Sequence, residues 1–126
     1  MENCIFVGVG GFIGSVLRYL LTGWVYRFFN YPIFPFGVMV VNIIGCFAIG
    51  FLSGLAETRE VFSPEVRIFL FLGVLGGFTT FSSFGYDTFN LLRDGAFLMA
   101  LINVMVQVVV GLLGVWMGYV LSRTMG

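Results

Sequence analysis

Four long apolar runs separated by short polar stretches make up this chain. The first extends from Cys4 to about Thr22, the second from Gly37 to about Ala56, the third from Pro64 to about Leu92 and the fourth from Ala96 to Leu121. Each is long enough for a helix to cross a hydrocarbon core of roughly 30 Å. The first connection, residues 24–36, is aromatic and contains Arg27, Asn30, Pro32 and Pro35; rings of this kind suit the headgroup belt. Glu57-Thr-Arg-Glu60 makes the second connection, and Asn90 to Gly95 makes the third. Ser63-Pro64-Glu65 has the form of a helix start, with a capping hydroxyl, a proline at the first turn and an acid near the positive end of the dipole. Gly10 with Gly14 and Gly50 with Gly54 offer small-residue faces for close helix approach. The pattern predicts an all-α integral membrane protein: one four-span domain over residues 1–126, without a soluble module.

The third run is exceptional. Its middle, Gly73–Tyr86, holds the adjacent Gly76 and Gly77, then Thr79, Thr80, Ser82 and Ser83, with Phe78, Phe81 and Phe84 recurring every third residue. A continuous helix over the whole run would be about 43 Å long, more than the core needs. Adjacent glycines are a common cause of kinks. The stretch predicts a helix broken near mid-membrane, around residues 76–80, with hydroxyls and rings gathered at the break. Non-helical backbone at that depth survives only inside protein or beside a hydrated cavity.

Composition narrows the function. Mean hydropathy is +1.07, and charged residues are 10% of the chain, well below the soluble norm of about 25%. Net charge is zero, which gives no reason to expect a nucleic-acid partner. Cys4 and Cys46 lie in apolar runs without metal-ligand spacing. The Met-Glu-Asn start has no basic region before its apolar run, so a cleaved signal peptide is not expected. There is no histidine, and no acid lies in the interior of a span except Asp87, near the end of the third. No nucleophile–base pair can be assembled, so no enzyme is expected.

Four spans put both termini on one side. That side carries Arg59, Arg67 and Arg123, and the other carries Arg18, Arg27 and Arg93. The balance selects no orientation under the positive-inside rule. A chain without bias can insert both ways, and two opposed copies can pair as an antiparallel dimer, a counterpart of inverted repeats.

The candidate chemistry concerns small ions. Phe81 and Phe84 share a helix face. Aromatic rings are positive at their edges, so edges turned toward a pore could hold a small anion. Asn42, Asn103 and Gln107 add amide N–H donors, the last two one turn apart on one face. Ser82 and Ser83 add hydroxyls. These donors lack the full charge of a lysine ring, which would bind an anion too tightly to conduct it. The same residues also suit duller roles, rings for packing and hydroxyls for capping backbone at a kink. A broken helix frees carbonyls as well, and those could bind a buried cation.

Gly10-Gly-Phe-Ile-Gly14 with Arg18-Tyr19, then Gly37-Val-Met-Val-Val-Asn42 with Gly45, then Gly76-Gly-Phe-Thr-Thr-Phe-Ser-Ser-Phe84, resemble the successive motifs of the fluoride channel family known as Fluc or CrcB. The resemblance covers nearly the whole chain in order. It implies an antiparallel dual-topology homodimer in the cell membrane, with two fluoride pores and passive export that limits fluoride toxicity. It also implies a structural, non-permeant sodium ion held by backbone carbonyls of Gly76 and Thr79 from both subunits. By position, Phe81 and Phe84 would be the pore phenylalanines, Asn42 the pore amide and Arg18 the first-span arginine. Ser82 and Ser83 would continue the polar track, with Ser83 where the family usually has threonine. Asp87 stands in place of a glutamate. Asn103, Gln107 and Gly111 occupy the fourth-span face where many relatives carry serines.

Two other readings fit a small four-span protein. A dual-topology, proton-coupled drug exporter needs an acid inside its first span, and none lies between Glu2 and Glu57. A noncatalytic membrane assembly subunit would use every glycine and phenylalanine for packing and would carry no flux.

Overall fold

The computed structural model describes residues 2–30, 34–59 and 62–125. Among them all the regular secondary structure is helical, with four helical spans long and apolar enough to cross a membrane. Helix α1 is Glu2–Phe28 and α2 is Phe36–Arg59. The third span, Pro64–Arg93, divides into α3 (residues 64–78) and α4 (Phe81–Arg93). Helix α5 is Phe97–Met125.

Helix α1 runs further than the hydropathy pattern suggests. Trp24 to Phe28, expected in a loop, continue the helix. None of them breaks a helix, and Arg27 Nε donates back to the Gly23 carbonyl at 3.4 Å. The aromatic belt nevertheless forms at this end: Phe29 stacks on Phe36 with ring centroids 4.5 Å apart, and Phe34 lies 4.8 Å from Phe36. Pro32 and Glu60, assigned to connections, lie outside the described residues. Ser63 caps α3 by accepting the Val66 N–H at 3.3 Å. The last connection is tight. Gly95 takes φ +79°, and the Ala96 and Gly95 N–H groups bond back to Leu91 and Leu92 at 2.8 and 3.1 Å. This is the left-handed helix stop that glycine accepts without a Cβ penalty.

Two close helix pairs form the body. Helix α1 lies against α3, and α2 lies against α5. Each pair is parallel, as an up-down-up-down order requires of alternate spans. Small residues set the separation. A Cβ on Gly10 would sit 2.9 Å from Gly73 Cα, and one on Gly14 would collide with the Val74 carbonyl. In the other pair a Cβ on Gly50 would strike the Val115 carbonyl, and one on Gly118 the Phe47 carbonyl. Lipid tails are as apolar as the side chains they replace, so helix association depends on such close packing rather than on expelling water. At one end of the α2–α5 pair, Tyr119 donates to Glu57, and Arg123 reaches the same carboxylate at 3.5 Å. These groups are exposed and add little stability.

Gly14→Leu and Gly50→Leu should each separate a helix pair, costing about 1–3 kcal/mol or more through overpacking. Thermal unfolding in detergent should show both midpoints falling. The same change at Gly8, where a Cβ meets nothing within 4 Å, should leave the midpoint nearly unchanged.

A candidate ion-conduction site at the helix break

The glycine pair expected to break the third span stays helical; Gly76 has φ −62° and ψ −37°. Gly77 is instead a close-approach residue, since a Cβ there would lie 2.7 Å from the Gly11 carbonyl oxygen. The chain becomes extended at Thr79 (φ −86°, ψ 158°) and Thr80 (φ −152°, ψ 116°). Before the break, Ile68–Leu75 is wound as a wider π-helix, a form that often accompanies functional sites.

Asn42 of α2 explains the position of the break. Its Oδ1 accepts the Thr80 N–H at 2.9 Å, and its Nδ2 donates to the Thr80 carbonyl at 3.1 Å. The side-chain amide thus pairs with main chain as a neighbouring strand would. The second Nδ2 hydrogen goes to Gln107 Oε1 at 2.9 Å. Both amide hydrogens expected to face a pore are therefore spent within the protein. The chain of amides continues: Gln107 Nε2 donates to Asn103 Oδ1 at 2.9 Å, and Asn103 Nδ2 to Thr88 Oγ1 at 2.9 Å. Thr88 Oγ1 donates in turn to the Phe84 carbonyl at 2.8 Å. Asn103 is fully buried, whereas Asn42 and Gln107 are half-buried.

Hydroxyls gather on the other face of the break. Thr80 Oγ1 caps α4 by accepting the Ser83 N–H at 3.1 Å. It also lies 3.1 Å from Ser83 Oγ and 3.2 Å from Ser82 Oγ. The Thr79 hydroxyl turns back to the Leu75 carbonyl at 3.0 Å, a common use of threonine near a helix end. Arg18 of α1 donates Nε to the Gly77 carbonyl at 3.0 Å. The Phe81 and Phe84 rings meet at 5.5 Å between centroids, tilted by 54°. Phe81 is 82% exposed, while Phe84 is half-buried.

These bonds leave carbonyls behind. In a continuous helix the Gly76 carbonyl would accept the Thr80 N–H, and the Thr79 carbonyl would accept the Ser83 N–H. Asn42 takes the first donor and Thr80 Oγ1 takes the second. Two cavities flank the break. One, of about 640 Å³, is lined by Arg18, Arg27, Ser15, Tyr19, Thr80 and Ser83 among others, with no acid among the described residues of its lining. The other, of about 370 Å³, is lined by Asn42, Gln107, Thr79, Thr80, Phe81 and Phe84 among others. Thr80 belongs to both linings, so the break separates an arginine-bearing basin from an aromatic chamber. Asp87 lies further along α4 and lines neither cavity; its Oδ2 is buried and has no partner among the described residues.

The structure brings Asn42, Phe81, Phe84, Ser82, Ser83, Gln107 and Asn103, all singled out by the sequence, into one neighbourhood, with Thr79 and Gly76 on the backbone beside them. Sequence reasoning missed Thr88 and Arg27. Thr88 follows Phe81 and Phe84 by seven and four residues, on the same helical face, and that spacing was the available signal. Arg27 was assigned to a loop and so was not placed on the face of α1 that Arg18 occupies.

The clasp on Thr80 makes a direct prediction. Asn42→Leu leaves the N–H and carbonyl of the half-buried Thr80 without their partner, costing at most about 1–3 kcal/mol for each group. Hydrogen exchange over residues 79–83 should accelerate in this variant and the melting point should fall. Unchanged protection would mean that the break is held by something other than Asn42.

The chain matches the family described as CrcB-like protein, Camphor Resistance (CrcB), over residues 5–119. It is similar to a protein of Geotalea daltonii named fluoride-specific ion channel FluC, at 44% identity over 98% of each chain. A protein of the same name from Geotalea uraniireducens is 42% identical over 99% of this chain and all of its own. Another, from Parabacteroides distasonis, is 48% identical over 91% of this chain and 88% of its own. The motifs around the break and a near-full-length match agree: this chain belongs to the CrcB family.

Proposed function

We propose that the chain is the subunit of a fluoride-selective channel in the cell membrane, which lets fluoride leave down its gradient and so limits its toxicity. It is a multi-pass membrane protein and not an enzyme. The observation that carries this reading is the 44% identity, over 98% of both chains, to a protein named fluoride-specific ion channel. The break supplies chemistry of the right kind. Fluoride is small and holds its water strongly, so a pore must replace that water with several weak donors. Ring edges of Phe81 and Phe84, the hydroxyls of Ser82 and Ser83 and the unspent N–H of Gln107 are such donors. Asn42 contributes by holding the break, and Asn103 stands behind Gln107. Arg18 and Arg27 make the basin attractive to anions before they reach Thr80.

The working unit is an antiparallel homodimer. Gly76 and Ser82 are exposed beside Phe81 at the centre of the third span. Lipid cannot satisfy carbonyls and hydroxyls at that depth, and a second copy can. The even division of arginines, three to a side, allows the opposed insertion that such a dimer needs. A sodium ion fits the same place. Gly76 and Thr79 have each lost the N–H that would occupy their carbonyls, and uncharged oxygens of this type suit a hard monovalent cation. Those two carbonyls, from both copies, would hold it. Bound there, the ion supplies positive charge at the negative ends of two half-helices.

Fluoride efflux from liposomes tests the function, with chloride as the comparison. The purified protein should pass fluoride and exclude chloride; an inert protein would leave the assembly-subunit reading in its place. Phe81→Ile and Phe84→Ile keep apolar bulk but remove the ring quadrupole. Each should cut fluoride flux by orders of magnitude while the dimer persists on gel filtration. Replacing sodium with a large organic cation should weaken the dimer and the flux together. Labels placed on one terminus should be reachable from both sides of the membrane, and reactivity from a single side would contradict the opposed dimer.

A further inference from the structure

We propose that Asn103 and Thr88 are positioning residues for conduction, which act on the permeant anion only through Gln107 by fixing which way its amide faces. This rests on the channel reading above. A primary amide can turn over by half a turn, exchanging C=O for NH₂ with little change in shape. An anion passing Gln107 meets a donor in one orientation and a repelling oxygen in the other. Gln107 lines the aromatic chamber, and one of its two Nε2 hydrogens has no partner among the described residues. Its orientation therefore decides what the chamber offers.

That orientation is imposed from both ends by groups that cannot turn over. At one end the Thr80 N–H and carbonyl fix Asn42, whose remaining hydrogen requires an acceptor, and Gln107 Oε1 supplies it. At the other end the Phe84 carbonyl takes the Thr88 hydroxyl proton. Thr88 Oγ1 is then left to accept, so Asn103 must present Nδ2 to it and Oδ1 to Gln107. Apart from the Asn42 bond to the Thr80 carbonyl, the donations run one way, from Asn42 through Gln107, Asn103 and Thr88 to Phe84. If Gln107 turned over, two NH₂ groups would meet at Asn42 and two oxygens at Asn103. Asn103 is 0% exposed, and neither it nor Thr88 lines either cavity. Their route to the ion is the amide they hold. The sequence contains the device because this chain carries Asn103 and Gln107 one turn apart, with Thr88 one turn beyond Phe84.

A double-mutant cycle in the liposome efflux assay separates positioning from direct contact. Asn103→Leu and Gln107→Met should each slow fluoride efflux roughly tenfold, the scale of a lost neutral hydrogen bond at its upper end. Because they act as one unit, the double variant should fall within about twofold of the worse single variant. Thr88→Val should also slow efflux and share this non-additivity with Gln107→Met, and Thr88→Ser should restore it. Multiplying losses, or full flux in Asn103→Leu or Thr88→Val, overturns the proposal. If Asn103→Leu yields no dimer, the near-isosteric Thr88→Val and Gln107→Met cycle decides alone. A wild-type protein that passes no fluoride removes the channel reading itself, whereas a conducting wild type with multiplying losses removes only the relay.

Discussion

A single side-chain amide, that of Asn42, makes the rest of the arrangement possible. A helix interrupted at the depth of the bilayer centre loses main-chain bonds that neither water nor lipid can replace. Asn42 pairs with both the N–H and the carbonyl of Thr80, so two extended residues survive there. The pairing crosses between the two helix pairs. It ties the third span, packed on α1, to α2, which is packed on α5. The break is thus a joint between the two halves of the subunit as well as a gap in one helix.

What the break releases is as important as what it uses. Once Thr80 N–H belongs to Asn42 and Ser83 N–H to Thr80 Oγ1, the carbonyls of Gly76 and Thr79 have no helical donors. Arg18 answers a third carbonyl, that of Gly77. One region therefore collects negative ends of dipoles, a guanidinium, three neighbouring hydroxyls and two rings, with no acid among the described residues that line its cavities. Such a set can attract an anion and still release it, because no single partner binds strongly. The glycine faces keep α1 on α3 and α2 on α5, while Gly76, Phe81 and Ser82 near the centre of the third span stay exposed.

Much of this was legible in the chain. The four spans follow from hydropathy alone, since the bilayer rewards any apolar run of sufficient length. The cap at Ser63 and the small-residue faces at Gly10, Gly14, Gly50 and Gly54 are local patterns with local causes. The polar stretch after Gly77 announced a break, because hydroxyls in a membrane helix need partners. The break falls at Thr79 and Thr80, at the far end of the expected 76–80 stretch rather than at the glycine pair. The Gly76-Gly77 pair permits a kink, yet Gly77 is small so that Gly11 can approach. The loop expected at Trp24–Phe28 is helix because aromatic residues mark an interface without ending a helix.

By itself, then, the sequence determined an all-helical membrane protein with a broken third span and an inventory of rings, hydroxyls and amides suited to a small anion. Those features depend on residue type and short-range order, which the chain states directly. Tertiary structure alone decided how the inventory is used. Whether Asn42 offers its hydrogens to an ion or to Thr80 and Gln107 depends on partners 38 and 65 positions away. An amide has the same donors and acceptors in either case. Only the packing of α2 against α5 and the third span chooses among the pairings, because a hydrogen bond requires the right distance and direction between atoms that sequence order does not bring together.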